Sequence, residues 1–562
     1  MRRWSFALVL TLLLAPVILA VTARPPRPEI RPQIPTANRN TGRIFLERAD
    51  QLRKATVDSF MVLVGNVVFT KGPMIMRCDS AHYFPDTESM DAFGNVSMEQ
   101  GDTLFVYADE LAYSGPGEIA TLYANPGKKV RLINRDVTLE TDVFVYDLAI
   151  DLGYYDVGGK LFDKQNTLTS LRGEYIPSTK EANFYDNVHL LSQGESDTLN
   201  IWSDSLYYNT ATHIAELNSP SKVVNYRATI YTTNGIYDTD RDRTSLFDRS
   251  VIHTPEGRTL VADTIYYDRQ TGIGEAFGSM VLSDSARQAS VYGDYGFYDE
   301  NIDSSFVTGR AMLSVVQGES EDTLWLHGRY ITSTRLFDSV PIPADTLLGT
   351  EAYTRIDTSH VALVYPRVRF FRSDMQGVCD SLRFTERDST LRMYRHPVVW
   401  NEDRQVFGNV IELLLNDSTI ERATLPDQGF TAQHIEGDHY NQMSGNEMIA
   451  HFVDGEMRRL NINGTVELVM YPEESDSTIN KMVNAQSSYL EAYFKGRTTE
   501  RVKMWPETTG VATPLFIAKK SNYYLPKFKW YEAVRPRSRD DIFIIPPEMD
   551  ELMAAPPIPS RK

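Results

Sequence analysis

The sequence predicts an all-β fold made of stacked antiparallel hairpins in two tandem arrays. Three observations lead there. The stretch from Cys78 to Met98 holds an alternating run, a turn-forming cluster from Phe84 to Glu88 and a second alternating run, which together spell a β-hairpin. The unit opens on an Asp followed four residues later by a Tyr (Asp79, Tyr83). That pair recurs at Asp109 and Tyr113, Asp142 and Tyr146, Asp204 and Tyr208, Asp263 and Tyr267, and Asp294 and Tyr298, with Tyr175 and Tyr237 in the gaps. The spacing is about 30 residues, the mark of stacked supersecondary units. Finally, the return strands alternate. Val67 and Phe69, Val96 and Met98, Val130 and Leu132, and Val188 and Leu190 each place two apolar side chains on one face. Of the residues between them, Ser97, Arg131 and His189 are polar and Val68 is not. One apolar and one wet face are what antiparallel sheets folded around an interior require.

The elements follow in chain order. Met1-Arg2-Arg3, an apolar run from Phe6 to Val21 and the small residues of Val21-Thr22-Ala23 read as a secretory signal over 1–23, cleaved after Ala23. No Cys follows the apolar run to carry a lipid, and no other stretch has the character of a membrane span. The Pro- and Arg-rich segment from Arg24 begins a linker and lead-in over 24–60, helical or irregular at Gly42 to Lys54. The first array runs over 61–334. The period then breaks, and Pro341 and Pro343 suggest a connecting loop over 335–360. A second, looser array spans 361–518, restarting at Cys379-Asp380-Ser381. A basic, Pro-rich tail, solvated or loosely docked, spans 519–562.

Composition narrows the function. The chain of 562 residues can bury a large core, and its 30 tyrosines favour strands. A net charge of −18 makes nucleic acid a poor partner. The two cysteines, Cys78 and Cys379, each precede Asp-Ser, and read as equivalent buried positions of two arrays rather than as a disulfide.

No catalytic constellation emerges, and no cofactor is implied. Gly153 to Lys160 misses the phosphate-loop spacing. His434, Glu436, Asp438 and His439 come nearest to a metal cluster, but neighbours on a strand point to opposite faces, so an ordinary polar turn is expected and no metal site. The periodic Asp residues read as devices that cap or orient strand ends, since an active site is singular.

The serial Ala-x-Gly-Asn-Val returns (Ala92 to Val96) and Asp-x-x-x-Tyr strands, with Pro397 to Trp400 and Asn441 to Met448 further on, resemble the OstA-like family of lipopolysaccharide-transport proteins in its long form. The resemblance is good over about Met61 to Thr334 and looser from Val361 to about Pro506. It implies a V-shaped, solenoid-like β-jellyroll that holds the acyl chains of lipopolysaccharide inside and leaves the sugars outside. It also implies a periplasmic protein without enzymatic activity. On this reading Val67, Phe69, Val96, Met98, Val130, Leu132, Val188 and Leu190 line the acyl-chain groove. Roughly nine repeats of two strands at ~4.8 Å would give an interior on the order of 85 Å long. Unpaired end strands could join other transport components, or further copies head to tail, by strand addition. The competing expectation is an exported β-solenoid that binds or cleaves polysaccharide.

Overall fold

The computed structural model describes residues 42–54, 60–194, 197–317, 322–342, 353–416, 419–474, 478–496 and 498–559; the expected signal and most of the linker lie outside them. Strands dominate, and they pair antiparallel. Among the described residues there are two compact units, 42–256 with 262–270, and 257–261 with 271–559.

Each unit is built by one device, a long strand that bends at its middle and so belongs to two walls at once. In the first unit Met61–Lys71, Met74–Phe84, Ser89–Gln100 and Leu104–Ser114 are such strands, paired in succession. Leu104–Ser114 then pairs with Ile119–Tyr123 through its C-terminal half and with Val130–Asn134 through its N-terminal half. From this point the sheet divides. One wall continues through Val143–Asp147, Leu152–Tyr155 and Arg172–Ile176, the other through Val137–Thr141, Gly159–Asp163 and Asn166–Ser170. The walls rejoin at the long strands Glu181–Gln193 and Thr198–Asn209 and divide again beyond them. We call them the tyrosine wall and the aliphatic wall, after the side chains each turns inward.

The bend explains the repeat motif. At Gly94 and Asn95 the backbone takes φ of 74° and 46°, and these two residues lie opposite the single Asp79. Such a two-against-one bulge turns a strand sharply. Because the bulged strand carries one residue more than its partner across the bend, both halves of each present apolar residues to the same side: Met90, Ala92, Val96 and Met98 keep one alternation in the bulged strand, and in the next strand it shifts by one between Leu104 and Val106 before the bend and Leu111 and Tyr113 after it. Asp79 secures the corner by accepting a hydrogen bond from Asn95 Nδ2 at 2.8 Å, as Asp50 does from Asn66 at 2.7 Å. The recurrent Asp is therefore a corner device at these rungs. A side chain on Gly94 would meet the Asp79 carboxylate at 2.5 Å, which is why glycine stands there.

The second unit repeats the plan. The strand Ala289–Asp299 divides between Ser304–Thr308 and Met312–Gln317, and the two ladders meet again at Glu456–Met470 and Lys481–Lys495. Its corner at Gly464 and Thr465 again has two positive-φ residues.

Three sequence expectations are corrected. The lead-in is neither helical nor irregular: Phe45–Arg48 and Gln51–Lys54 pair with Met61–Lys71 as its first two partners. The loop expected over 335–360 is a hairpin, in which Tyr330–Ile342 pairs with Tyr353–Tyr365 from Tyr330 opposite Tyr365 to Ile342 opposite Tyr353. Pro341 is tolerated within that pairing, and residues 343–352 lie outside the described residues. Nor is the C-terminal segment solvated. Leu525, Phe528, Trp530, Tyr531, Val534, Met549 and Leu552 pack on Val378, Val398, Trp400, Phe407 and Phe430, on the outer face of the second unit's aliphatic wall. Buried glutamines hold its backbone there. Gln405 donates to Lys529 O at 2.9 Å and accepts from Tyr531 N at 2.8 Å; Gln442 donates to Tyr523 O at 2.7 Å and accepts from Leu525 N at 2.8 Å. These side chains satisfy the tail's main chain as a neighbouring strand would.

Candidate functional site

All eight residues expected to face the interior do so, and none is more than 4% exposed. All of them belong to the aliphatic wall, where they fall into a longer register. Phe69, Met76, Met98, Val106, Leu132, Leu139, Leu161, Leu168, Leu190, Ile201, Val223, Ile230 and Ile252 stand opposite one another in unbroken succession across the wall. Val67, Val96, Val130 and Val188 lie one step nearer the corner on their own strands.

The facing wall was not anticipated as a lining. Its register runs Tyr113, Ala120, Tyr146, Gly153, Tyr175, Ala182, Tyr208, Ala215, Tyr237, Thr244 and Tyr267. A tyrosine alternates with a small residue, so each ring lies beside the space its neighbours leave. The tyrosine spacing seen in the sequence is thus one residue in every second strand of a single wall.

The rows facing the first unit's interior are largely buried. A cavity of about 30 Å³ remains among Ile44, Phe69, Met74, Met76, Met90, Met98, Leu111 and Tyr113. Phe69 and Met98 border it; the other six candidates are not part of its lining. In the second unit the row on the corresponding wall is mixed: Leu313, Leu326, Phe370 and Leu468 are buried, while Val399, Val406, Thr431 and Met443 between them are half-buried.

At the edge away from the corners, polar side chains join the two walls of the first unit. Lys71, on the aliphatic wall, donates to the Tyr113 hydroxyl at 2.8 Å and lies 3.4 Å from Glu118. Asn134 donates to the Tyr175 hydroxyl at 2.9 Å and to Pro177 O at 3.0 Å. Tyr208 donates to Asp163 at 2.7 Å, and His213 Nδ1 lies 2.8 Å from the same oxygen. Burial and the Asp163 charge push the Tyr208 phenol far above its ordinary value, so it stays a donor. Further along, Arg269 pairs with Asp242 on its own wall and reaches Asp197 on the other at 3.6 Å, and Arg227 donates to the Tyr267 hydroxyl at 3.2 Å. Tips in the second unit bond along a wall: Asn401 to Asp374 O at 3.0 Å, Gln433 to Asp403 at 3.0 Å, and Ser373 to Asp322.

The residues weighed as a metal cluster have ordinary partners. His434 lies 3.1 Å from Gly437 O, Asp438 pairs with Lys520 at 2.8 Å, and the His439 ring packs against Tyr471 and Tyr523. Both cysteines are buried and free, and burial raises the Cys78 thiol to about 11.

The first unit is thus a double-walled, repeat-built β-jellyroll with one continuous apolar lining. Residues 41–196 match the family model described as OstA-like protein. The match begins just before the first edge strand and ends just past the first long strand at which the walls rejoin. No curated protein matches the chain. Among the described residues, no helix is long and apolar enough to cross a membrane.

Proposed function

We propose that this protein carries lipopolysaccharide in the periplasm on its way to the outer membrane, holding the acyl chains between the walls of its jellyroll. The observation that carries the reading is the uninterrupted aliphatic register from Phe69 to Ile252. An acyl chain lying along it crosses strand after strand without meeting a polar group of that row, and each buried methylene contributes about 0.8 kcal/mol. The lining side chains of the first unit are buried against one another, so loading parts the walls and replaces side-chain contacts by lipid contacts. The half-buried stretch of the second unit at Val399, Val406, Thr431 and Met443 offers a chain a surface with less to displace. The role is one of binding and transfer, with no catalytic step assigned to it. Edge strands at either end provide main-chain groups for pairing with other transport components or with further copies.

The test is a photo-crosslinking side chain placed at Val188 or Val96, compared with His189 or Ser97 on the opposite face of the same strands. Crosslinks to lipopolysaccharide from the first pair alone are the expected result. Mass spectrometry of lipid co-purifying from the native envelope identifies the cargo. Equal capture from both faces, or none from either in folded protein, would show that the groove is not this interior.

A further inference from the structure

Resting on that reading of lipid carriage, we infer that the polar contacts joining the two walls form a latch. Its first pin, Lys71 with Glu118 and Tyr113, is the site where an amphiphile with an anionic head group is admitted.

The pins differ in what they offer an anion. Asn134 with Tyr175 is buried and uncharged, and Asp163 sets a buried carboxylate in the path. Lys71 is a cation whose side chain is 15% exposed, and its carboxylate partner Glu118 is 24% exposed. A phosphate or carboxylate head can therefore take the place of Glu118 without leaving the ammonium uncompensated, while Glu118 swings out to water. Exchange of one anion for another avoids the cost of stripping a charge of its partner. The cavity lies directly behind this pin, and Lys71 and Tyr113 are themselves part of its lining. Four methionines, Met74, Met76, Met90 and Met98, make up much of the remainder. Methionine is unbranched and adapts to irregular guests, so this rung accepts the end of an alkyl chain more readily than one lined by branched side chains. Head-group recognition and the adaptable apolar space thus coincide at one rung.

The experiment uses the full chain with dodecyl phosphate and dodecanol as probes, each competing with an apolar fluorophore. Lys71→Met keeps the apolar stem and removes the charge. It is expected to weaken dodecyl phosphate about tenfold or more, the loss of one charge-assisted hydrogen bond, and to leave dodecanol within about twofold. Glu118→Gln frees the lysine and is expected to tighten dodecyl phosphate. Equal loss of both probes, or no loss of either, in folded Lys71→Met overturns the pin. Cysteines at Asn134 and Tyr175, bridged by a cleavable bismaleimide, test the latch. Bridged protein is expected to take up neither probe until the bridge is cleaved, and undiminished uptake while bridged overturns it. Wild-type protein that binds neither probe would remove the reading of lipid carriage itself, an outcome distinct from loss of the pin alone.

Discussion

Gln405 offers a sharp test of how the C-terminal segment is held. Its side chain is fully buried. Its Oε1 accepts from Tyr531 N at 2.8 Å and from Trp400 Nε1 at 3.1 Å, and its Nε2 donates to Lys529 O at 2.9 Å. Gln405→Met keeps the length and most of the volume but strands two N–H groups and one carbonyl in a dry interface. At about 1–3 kcal/mol for each unsatisfied group, the cost if nothing moves is roughly 3–9 kcal/mol. The segment can relieve part of that by lifting away from the sheet, which in turn exposes Phe407 and Phe430. The expected outcome is therefore local release rather than global unfolding. Native-state hydrogen exchange should show the Tyr531 amide, and that of Leu525 two strands away, losing protection, while amides of the first unit keep theirs. Denaturation of the second unit should shift by more than about 1 kcal/mol. If Tyr531 keeps its protection in folded Gln405→Met protein, the buried amides are not what holds the segment, and ring packing alone accounts for it.

Two further expectations follow from local geometry. Gly94→Ala places a methyl against the Asp79 carboxylate at positive φ, and should cost about 1–3 kcal/mol by urea denaturation, more than the same change at the exposed turn of Gly101; equal costs would remove the special role of the corner. In the second unit His360 lies 3.0 Å from Glu386 and 3.1 Å from Asp303. The bond to Glu386 above all raises the His360 value. Burial alone would raise Glu386 and Asp303, but hydrogen bonds from His360, joined for Asp303 by Arg335, bring both below their ordinary values. The histidine contribution is complete below its unfolded value near 6.5 and is lost as pH rises through the raised folded value. The carboxylate contributions are complete above the ordinary carboxylate range and are lost as pH falls through the depressed values. Thermal unfolding should thus find this unit most stable between those limits, and His360→Gln should flatten the alkaline arm; an unchanged arm refutes the assignment.

Much of this architecture was legible in the chain. The Asp and Tyr periods, the Gly-Asn returns and the Val-x-Leu alternation are local patterns, and each marks a real position: corner, tyrosine row and aliphatic row. What was missed depends on partners distant in sequence. Ala120, Gly153, Ala182 and Ala215 recur at the same spacing as the tyrosines, but their smallness acquires meaning only beside the tyrosines of adjoining strands. The pins between the walls hid for the same reason, since Lys71, Asn134 and Asp163 read as ordinary strand-end polar residues. The docked tail lacks the repeat altogether. Its one clue was a density of aromatics from Tyr523 to Tyr531, which pointed to burial without saying where. The hairpin at 330–365 was hidden by its prolines and by a break in period that a long strand pair also produces.

The corner has a consequence for how such a chain changes over evolutionary time. Asp79 fastens the bend of the following strand, and Asp50 fastens that of the strand after its own, so the instructions for turning pass from one neighbour to the next. Nothing in them counts how many rungs precede or follow. Stability in such a stack is close to a sum of nearest-neighbour terms. Duplication or loss of a whole rung therefore changes the reach of the molecule without rewriting its cross-section, whereas gain or loss of a single residue at a corner throws every later side chain of that strand to the wrong face. Length is the freely adjustable dimension of this protein, and the bend is the fixed one.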